Sequence, residues 1–352
     1  MSNQRNSMNT SDVSKEPKGT VSIIIPFYNE EGILENTFQK LIDYLATLDK
    51  EYHFEILLVD DGSNDHSAEI AKRFEGKNSS IRILTHHINL GLGHALQTGF
   101  NHSTGKYVIV LDADLSYSLD HIETLLQKLV KNRAKVVIAS PYMENGKVSN
   151  VPWTRFQLSR WANRFLCFLY RSPVKTLTGM VRGYDGNFIR NLSLRSTGPE
   201  INLEIVYKAA ILENQIEEIP AHLSWIGEET KKRSKLKIVT HTSNTVFFGF
   251  LMKPVLFFIL PGIIVLLFAI YTSAWMVIHF FEEYAKMQSY DQISDAFKAA
   301  YNLNPHTFIM AFISMILAVQ FISAGLQSLQ SKHYFEELFS LGTKILQKRE
   351  KK

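Results

Sequence analysis

Between residues 20 and 140 the chain alternates between two periods, and this alternation restricts its fold more than any other feature. Short apolar, β-branched runs fall at residues 21–26, 55–59, 81–84, 107–111 and 136–140. Segments with helical spacing separate them, at 31–48, 67–74, 92–100 and 122–129. The first of these places Leu34, Phe38, Leu41, Ile42 and Leu45 on one face. Repeated strand–helix succession predicts an α/β domain, a mostly parallel sheet with covering helices. Past residue 150 the rhythm changes. Residues 154–170 predict a basic, aromatic helix carrying Arg155, Arg160, Trp161, Arg164 and Phe165; a helix at 201–212 and a strand at 216–223 follow.

Polar residues collect where the strands end, which in open α/β sheets is where ligands bind. The run Lys106-Tyr-Val-Ile-Val-Leu-Asp112-Ala-Asp114 ends in two carboxylates spaced i, i+2. If the strand continues through them, both point to one side and can share a divalent cation. Such a site keeps open positions for phosphate oxygens. The competing expectation is an Asx-rich turn at the strand end. Pro26-Phe-Tyr28-Asn29-Glu30 and Asp60-Asp61-Gly62-Ser63 close the first two strands, suited to meeting a nucleotide or to forming ordinary turns. Asn89-Leu-Gly91-Leu-Gly93 is no dinucleotide fingerprint, because the third glycine position falls on Leu96. The 12 histidines show no ligand spacing and are expected to be structural or at the surface. The lone Cys167 excludes an intrachain disulfide and a cysteine-based zinc site.

The apolar residues are unevenly placed. Residues 254–281 and roughly 306–326 form two runs, each longer than the ~20 residues needed to cross a hydrocarbon core. Neither has the polar face of a soluble amphipathic helix. Lys231, Lys232, Arg233, Lys235 and Lys237 precede the first run. Lys332, Lys344, Lys348, Arg349, Lys351 and Lys352 follow the second, whereas the connecting loop is net acidic. The positive-inside rule predicts an integral membrane protein with the α/β domain and both termini in the cytoplasm. The expected division is a disordered tail at 1–18, a catalytic domain at 19–238 and an interfacial segment at 239–253. A transmembrane helix at 254–281, an extracytoplasmic loop at 282–304, a second span at 305–330 and a basic tail at 331–352 complete it. The tail carries Phe335, Leu338, Phe339, Ile345 and Leu346 at helical spacing, predicting a further surface-lying helix. A net charge of +4 is too diffuse to argue for nucleic acid. The basic cluster at 231–237 suits anionic headgroups.

Taken in order, these motifs resemble family-2 glycosyltransferases of the GT-A fold, and most of all dolichyl-phosphate mannosyltransferases and bacterial polyprenyl-phosphate hexosyltransferases. The resemblance covers residues 20–240 and extends through Arg155-Phe-Gln-Leu-Ser-Arg-Trp-Ala-Asn163, Leu177-Thr-Gly179 with Arg182, and Ile219-Pro220. It implies an inverting hexosyltransferase dependent on Mg2+ or Mn2+. The donor would be GDP-mannose or a UDP-hexose, and the acceptor a polyprenyl or dolichyl phosphate. Pro26, Tyr28, Glu30, Val59 and Asp61 would hold the nucleoside; Asp112, Ala113 and Asp114 the metal and diphosphate; Lys235 the donor phosphates; Arg155 and Ser159 the lipid phosphate. Membrane lipids are the expected surroundings, and a homo-oligomer is compatible with the resemblance. Gln157-Leu-Ser-Arg160-Trp161 also matches a string of processive polysaccharide synthases, but two spans cannot enclose a polymer channel. Two positions depart from the family: Pro141 stands where an arginine precedes Tyr142, and Trp225-Ile-Gly-Glu-Glu-Thr replaces an arginine-bearing loop. A glycolipid or glycan acceptor, or a catalytically silent binding subunit, are the alternatives.

Overall fold

The computed structural model describes residues 19–48, 52–170, 174–224, 253–287 and 293–350. The chain divides into two compact units, residues 1–241 and 242–352.

The first unit is built on a seven-stranded sheet. Its strands are β1 (Thr20–Phe27), β2 (His53–Asp60), β3 (Ile81–Thr85), β4 (Tyr107–Val110), β5 (Val136–Ser140), β7 (Arg182–Asp185) and β8 (Ile216–Pro220), in the order β3-β2-β1-β4-β7-β5-β8. All neighbours run parallel except β7, which is antiparallel to both β4 and β5. The sheet is therefore the mostly parallel α/β architecture that the strand–helix rhythm predicts. A second, two-stranded sheet pairs β6 (Lys147–Ser149) with β9 (His222–Ser224). The expected strand at 216–223 is thus two strands. Ala221 still donates to Ser140 O, after which the chain leaves the main sheet.

Helices cover both faces. Alternation along β1 sends Ile23, Ile25 and Phe27 into one core, shared with Leu34, Phe38 and Leu41 of α1 (Glu31–Leu48), Ile70 and Phe74 of α2 (Ser67–Glu75), and Leu125 and Leu129 of α4 (His121–Asn132). Phe38 makes edge contacts with both Phe27 and Phe74. On the other face, Gly99 of α3 (Leu92–His102) lies so close to Ile24 that a Cβ there would sit 2.6 Å from its Cγ2. That approach lets α3 recross the sheet and deliver the chain to β4. The strand order consequently reverses between β1 and β4, creating a crevice at their carboxyl ends. Helices α5 (Trp153–Tyr170), α6 (Gly186–Arg190) and α7 (Ile201–Ile211) complete the unit.

The second unit is helical. A π-turn at Val255–Ile259 leads into α8 (Leu260–Tyr284), followed by α9 (Ile293–Leu303) and α10 (Pro305–Glu350). Two helical stretches, Val255–Tyr284 and Pro305–Thr343, are long and apolar enough to cross a membrane. Instead of a second span followed by a separate tail helix, α10 runs unbroken for 46 residues. The loop expected between the spans contains α9, whose Phe297 and Tyr301 pack edge-on against Phe308. The expected tail at 1–18 and most of the interfacial segment at 239–253 lie outside the described residues.

Candidate active site

The ends of β1 and β2 form one platform. Asp61 N–H donates to Phe27 O. Asn29, in the left-handed region at φ 55°, donates its N–H to Ser63 Oγ (3.0 Å) and accepts from Asn64 N–H (2.8 Å). Glu30 N–H donates to Ser67 Oγ at 2.8 Å. Tyr28 and Glu30 remain half-buried, whereas Pro26 and Val59 are buried in register with each other. Asp60 Oδ1 accepts from Ser63 N–H, and its other oxygen is buried without a partner among the described residues.

Asp61 is buried and organises the glycine-rich loop. Its Oδ1 accepts from Leu90 N–H (3.0 Å) and lies 2.8 Å from His86 Nδ1, while Oδ2 accepts from Gly91 N–H at 2.8 Å. The Asn89–Gly93 segment is thus an anion-binding turn that takes its carboxylate from the chain itself. Gly62 is required beside it: at φ +73° a Cβ would lie 2.5 Å from the Ile88 carbonyl carbon. His86 also reaches Thr98 Oγ1 at 2.9 Å, so this histidine orients Asp61 from within the fold.

The loop after β4 departs from the expected pleat. The strand stops at Val110, and Leu111 N–H makes the next bond to Ile24 O. Asp112 O then accepts from Leu115 N–H at 3.3 Å, and Leu115 adopts φ 47°. Asp114 Oδ1 accepts from Ser116 N–H at 2.9 Å, an Asx turn. Thr37 Oγ1 pins the loop from α1 by donating to Ala113 O at 2.7 Å. A turn, rather than strand periodicity, therefore brings Asp112 and Asp114 to the same sheet edge. Asp112 is half-buried and Asp114 exposed. Two carboxylates on a pinned turn supply hard oxygen donors of the kind Mg2+ or Mn2+ prefers. Among the described residues no group of three or more His, Cys, Asp or Glu could hold a metal, so phosphate oxygens and water would complete such a shell.

Around this loop lies a polar wall. Tyr117 is buried, and burial followed by the charge of Asp112 pushes its phenol well above the ordinary value; Tyr142 and Asp114 act in the same direction and Arg182 opposes them. Because β7 is antiparallel, the residues leading into it reach the same edge as Asp112. Arg182 is fully buried and binds three backbone carbonyls: Gly179 O (2.7 Å), Leu177 O (2.6 Å) and Asn202 O (3.0 Å). Asn163 of α5 grips the same loop, its Oδ1 accepting from Leu177 N–H (2.9 Å) and Thr178 N–H (3.2 Å). Ser159, one turn earlier, accepts from Tyr142 Oη–H at 2.8 Å. Arg155 lies on α5 with its side chain outside the described residues, as is Lys235 together with the whole 225–252 segment. No role is legible in the sequence for His86, Tyr117, Tyr142 or Asn163. Two of them carry a signal: Asn163 as the last residue of the Arg155–Asn163 string, and Tyr142 as the tyrosine that follows Pro141.

Residues 22–191 match the model of Glycosyl transferase family 2. The chain is similar to dolichyl-phosphate beta-glucosyltransferase ALG5A of Trichomonas vaginalis, 30% identical over 142 residues, which cover 39% of this chain and 44% of the relative. It is also similar to the dolichol-phosphate mannosyltransferase of Pyrococcus furiosus, 29% identical over 220 residues, covering 62% of this chain and 59% of the relative. The chain spans about half the length of these curated relatives. Among solved structures it is similar to glucosyl-3-phosphoglycerate synthase from Mycobacterium tuberculosis in complex with Mn2+, uridine diphosphate and glucosyl-3-phosphoglycerate. That match has 16% identity and a TM-score of 0.48, covering 66% of this chain and 79% of the other. The matched residues span every loop of the platform described above, from Tyr28 to Arg182.

Proposed function

We propose that this protein is a membrane-anchored, inverting glycosyltransferase that moves a hexose from a nucleotide-sugar to a polyprenyl or dolichyl phosphate at the cytoplasmic face. The observation that carries this reading is the convergence, at one sheet edge, of the Tyr28–Glu30, Asp60–Asp65 and Asp112–Ser116 loops, flanked by Ser159 of α5. The curated relatives, named for transfer to dolichyl phosphate, and the two long apolar helices support the acceptor class.

In this reading Tyr28 and Glu30 border the nucleoside, and Pro26 and Val59, buried in the sheet, offer it only main chain. Asp61 acts by shaping the 89–93 loop. Asp112 and Asp114 would hold a divalent cation, which when bound supplies charge stabilisation to the departing diphosphate; Ala113 offers its backbone to the same group. Lys235 would assist at the donor phosphates, and Arg155 and Ser159 at the acceptor. A phosphate oxygen attacks the anomeric carbon while the bond from that carbon to the diphosphate breaks, inverting the centre. The attacking oxygen is already anionic at neutral pH, so no general base has to remove a proton. What remains for the chain is to align the reactants and preorganise charge.

Membranes containing the protein, incubated with labelled GDP-mannose or UDP-hexoses and extracted for lipid, test this. The expected product is an acid-labile polyprenyl-phosphate sugar. Label in an acid-stable glycolipid would transfer the assignment to a different acceptor, and absence of turnover with every donor would identify a silent binding subunit.

A further inference from the structure

Tyr142 lies two residues past the end of β5 and joins that end of the strand to α5. Its hydroxyl donates to Ser159 Oγ at 2.8 Å, and its ring packs 6.2 Å from that of Phe156, also on α5. Ser159 is held at a second point, since its carbonyl accepts from Asn163 Nδ2–H at 3.0 Å. Asn163 is buried and its side-chain bonds to Leu177 and Thr178 fix α5 against the sheet edge. The position of the Ser159 hydroxyl is therefore set from both its side chain and its backbone.

A serine hydroxyl has one proton and two acceptor positions. With Tyr142 donating into one lone pair, the serine proton is left to be given to something else, and an anion is the best acceptor of it. We propose that Tyr142 is a positioning residue for the acceptor subsite, acting through Ser159: it orients the Ser159 hydroxyl so that its proton faces the phosphate monoester of the lipid acceptor. This rests on the reading of Ser159 as an acceptor-phosphate contact. It also gives the Pro141-Tyr142 pair a function that does not depend on the missing arginine. Tyr142 touches no reacting atom, so its effect is on acceptor affinity.

The test uses the full chain in detergent, with a short-chain polyprenyl monophosphate and a labelled nucleotide-sugar. Tyr142→Phe keeps the ring against Phe156 and removes only the hydroxyl. Losing one hydrogen bond that orients a group on a charged acceptor is worth about tenfold. The expected result is an acceptor KM raised about tenfold, with the nucleotide-sugar KM and the unfolding temperature unchanged. Ser159→Ala should raise the acceptor KM similarly, and the double variant should be no worse than Ser159→Ala alone. Inorganic phosphate should compete with the acceptor in the wild type and more weakly in Tyr142→Phe. An unchanged acceptor KM in Tyr142→Phe, or additive losses in the double variant, overturns the inference while leaving the proposed function standing. A lower kcat with all KM values unchanged overturns it as well, since it would place the effect of Tyr142 on the transfer step and not on acceptor binding. A wild type that transfers nothing to polyprenyl phosphate overturns the proposed function and this inference together.

Discussion

Asp114 combines two roles that a single substitution separates. Its Oδ1 accepts from Ser116 N–H and so helps shape the loop, while its negative charge is what a cation would require. Asp114→Asn retains the amide oxygen for Ser116 and removes the charge. Transfer should fall by about a hundredfold or more, the size seen when one preorganised electrostatic partner is removed, with the thermal unfolding curve unchanged. Initial rates alongside unfolding curves decide this, and an undiminished rate would sink the metal assignment. The pairing of Asp112 with Asp114 was visible in their spacing, but its cause was not. Period-two reasoning needs the strand to continue, whereas β4 loses its partner on β1 after Val110 pairs with Ile24. The left-handed turn at Leu115 carries no sequence mark, because neither glycine nor asparagine occupies it. Arg182 is legible only as a member of the Leu177–Gly179 motif; its role comes from the three carbonyls around its guanidinium.

At the scale of elements, local periodicity was a reliable guide wherever one apolar face met one core. Helix α1 and strand β5 have the bounds that their patterns predict. Elements held by polar pairing were missed. Strands β6 and β7 have three and four residues and no apolar run, so nothing distinguishes them from loop, and β9 reads as the continuation of β8. One such pairing has a pH consequence. Strand β9 is hooked to α4 by His222 N–H donating to His121 Nε2 at 3.1 Å, which requires that nitrogen to be unprotonated. Burial is the main cause holding the His121 pKa below its ordinary value; His222 adds to it, and Asp120 and the backbone bond oppose it. A depressed folded-state pKa means the unfolded chain binds the proton more readily. The contribution to stability is therefore complete above the unfolded value of about 6.5 and is lost as the pH falls through the lower folded value. The protection factor for hydrogen exchange at the His222 amide should accordingly drop as the pH is lowered below about 6.5. His121→Phe should remove that pH dependence. A protection factor that stays flat in the wild type would rule out the hook.

At the scale of the whole molecule, the division into two compact units makes a separable prediction. In the second unit the helices approach through glycine in both directions. A Cβ at Gly262 would lie 2.9 Å from Ile322 Cγ1, and one at Gly325 would lie 2.5 Å from Ile259 Cγ1. Helix pairs in membranes depend on such small residues for close packing, since lipid is as apolar as leucine and gives no hydrophobic drive. Gly325→Leu places a full side chain where not even a methyl group fits, and overpacking of this kind costs about 1–3 kcal/mol. The platform proposed to bind the nucleotide consists of residues of the first unit, which has its own core around Phe38, Leu125 and Ile25. The variant should therefore unfold at a lower temperature in detergent when followed by a probe in the helical unit. Its affinity for a nucleotide-sugar, measured by ligand protection against unfolding of the α/β unit, should match the wild type. Transfer to a lipid acceptor in membranes, measured in parallel, separates anchoring from chemistry. If instead Gly325→Leu weakens nucleotide binding, the two units are energetically coupled and the separability is refuted.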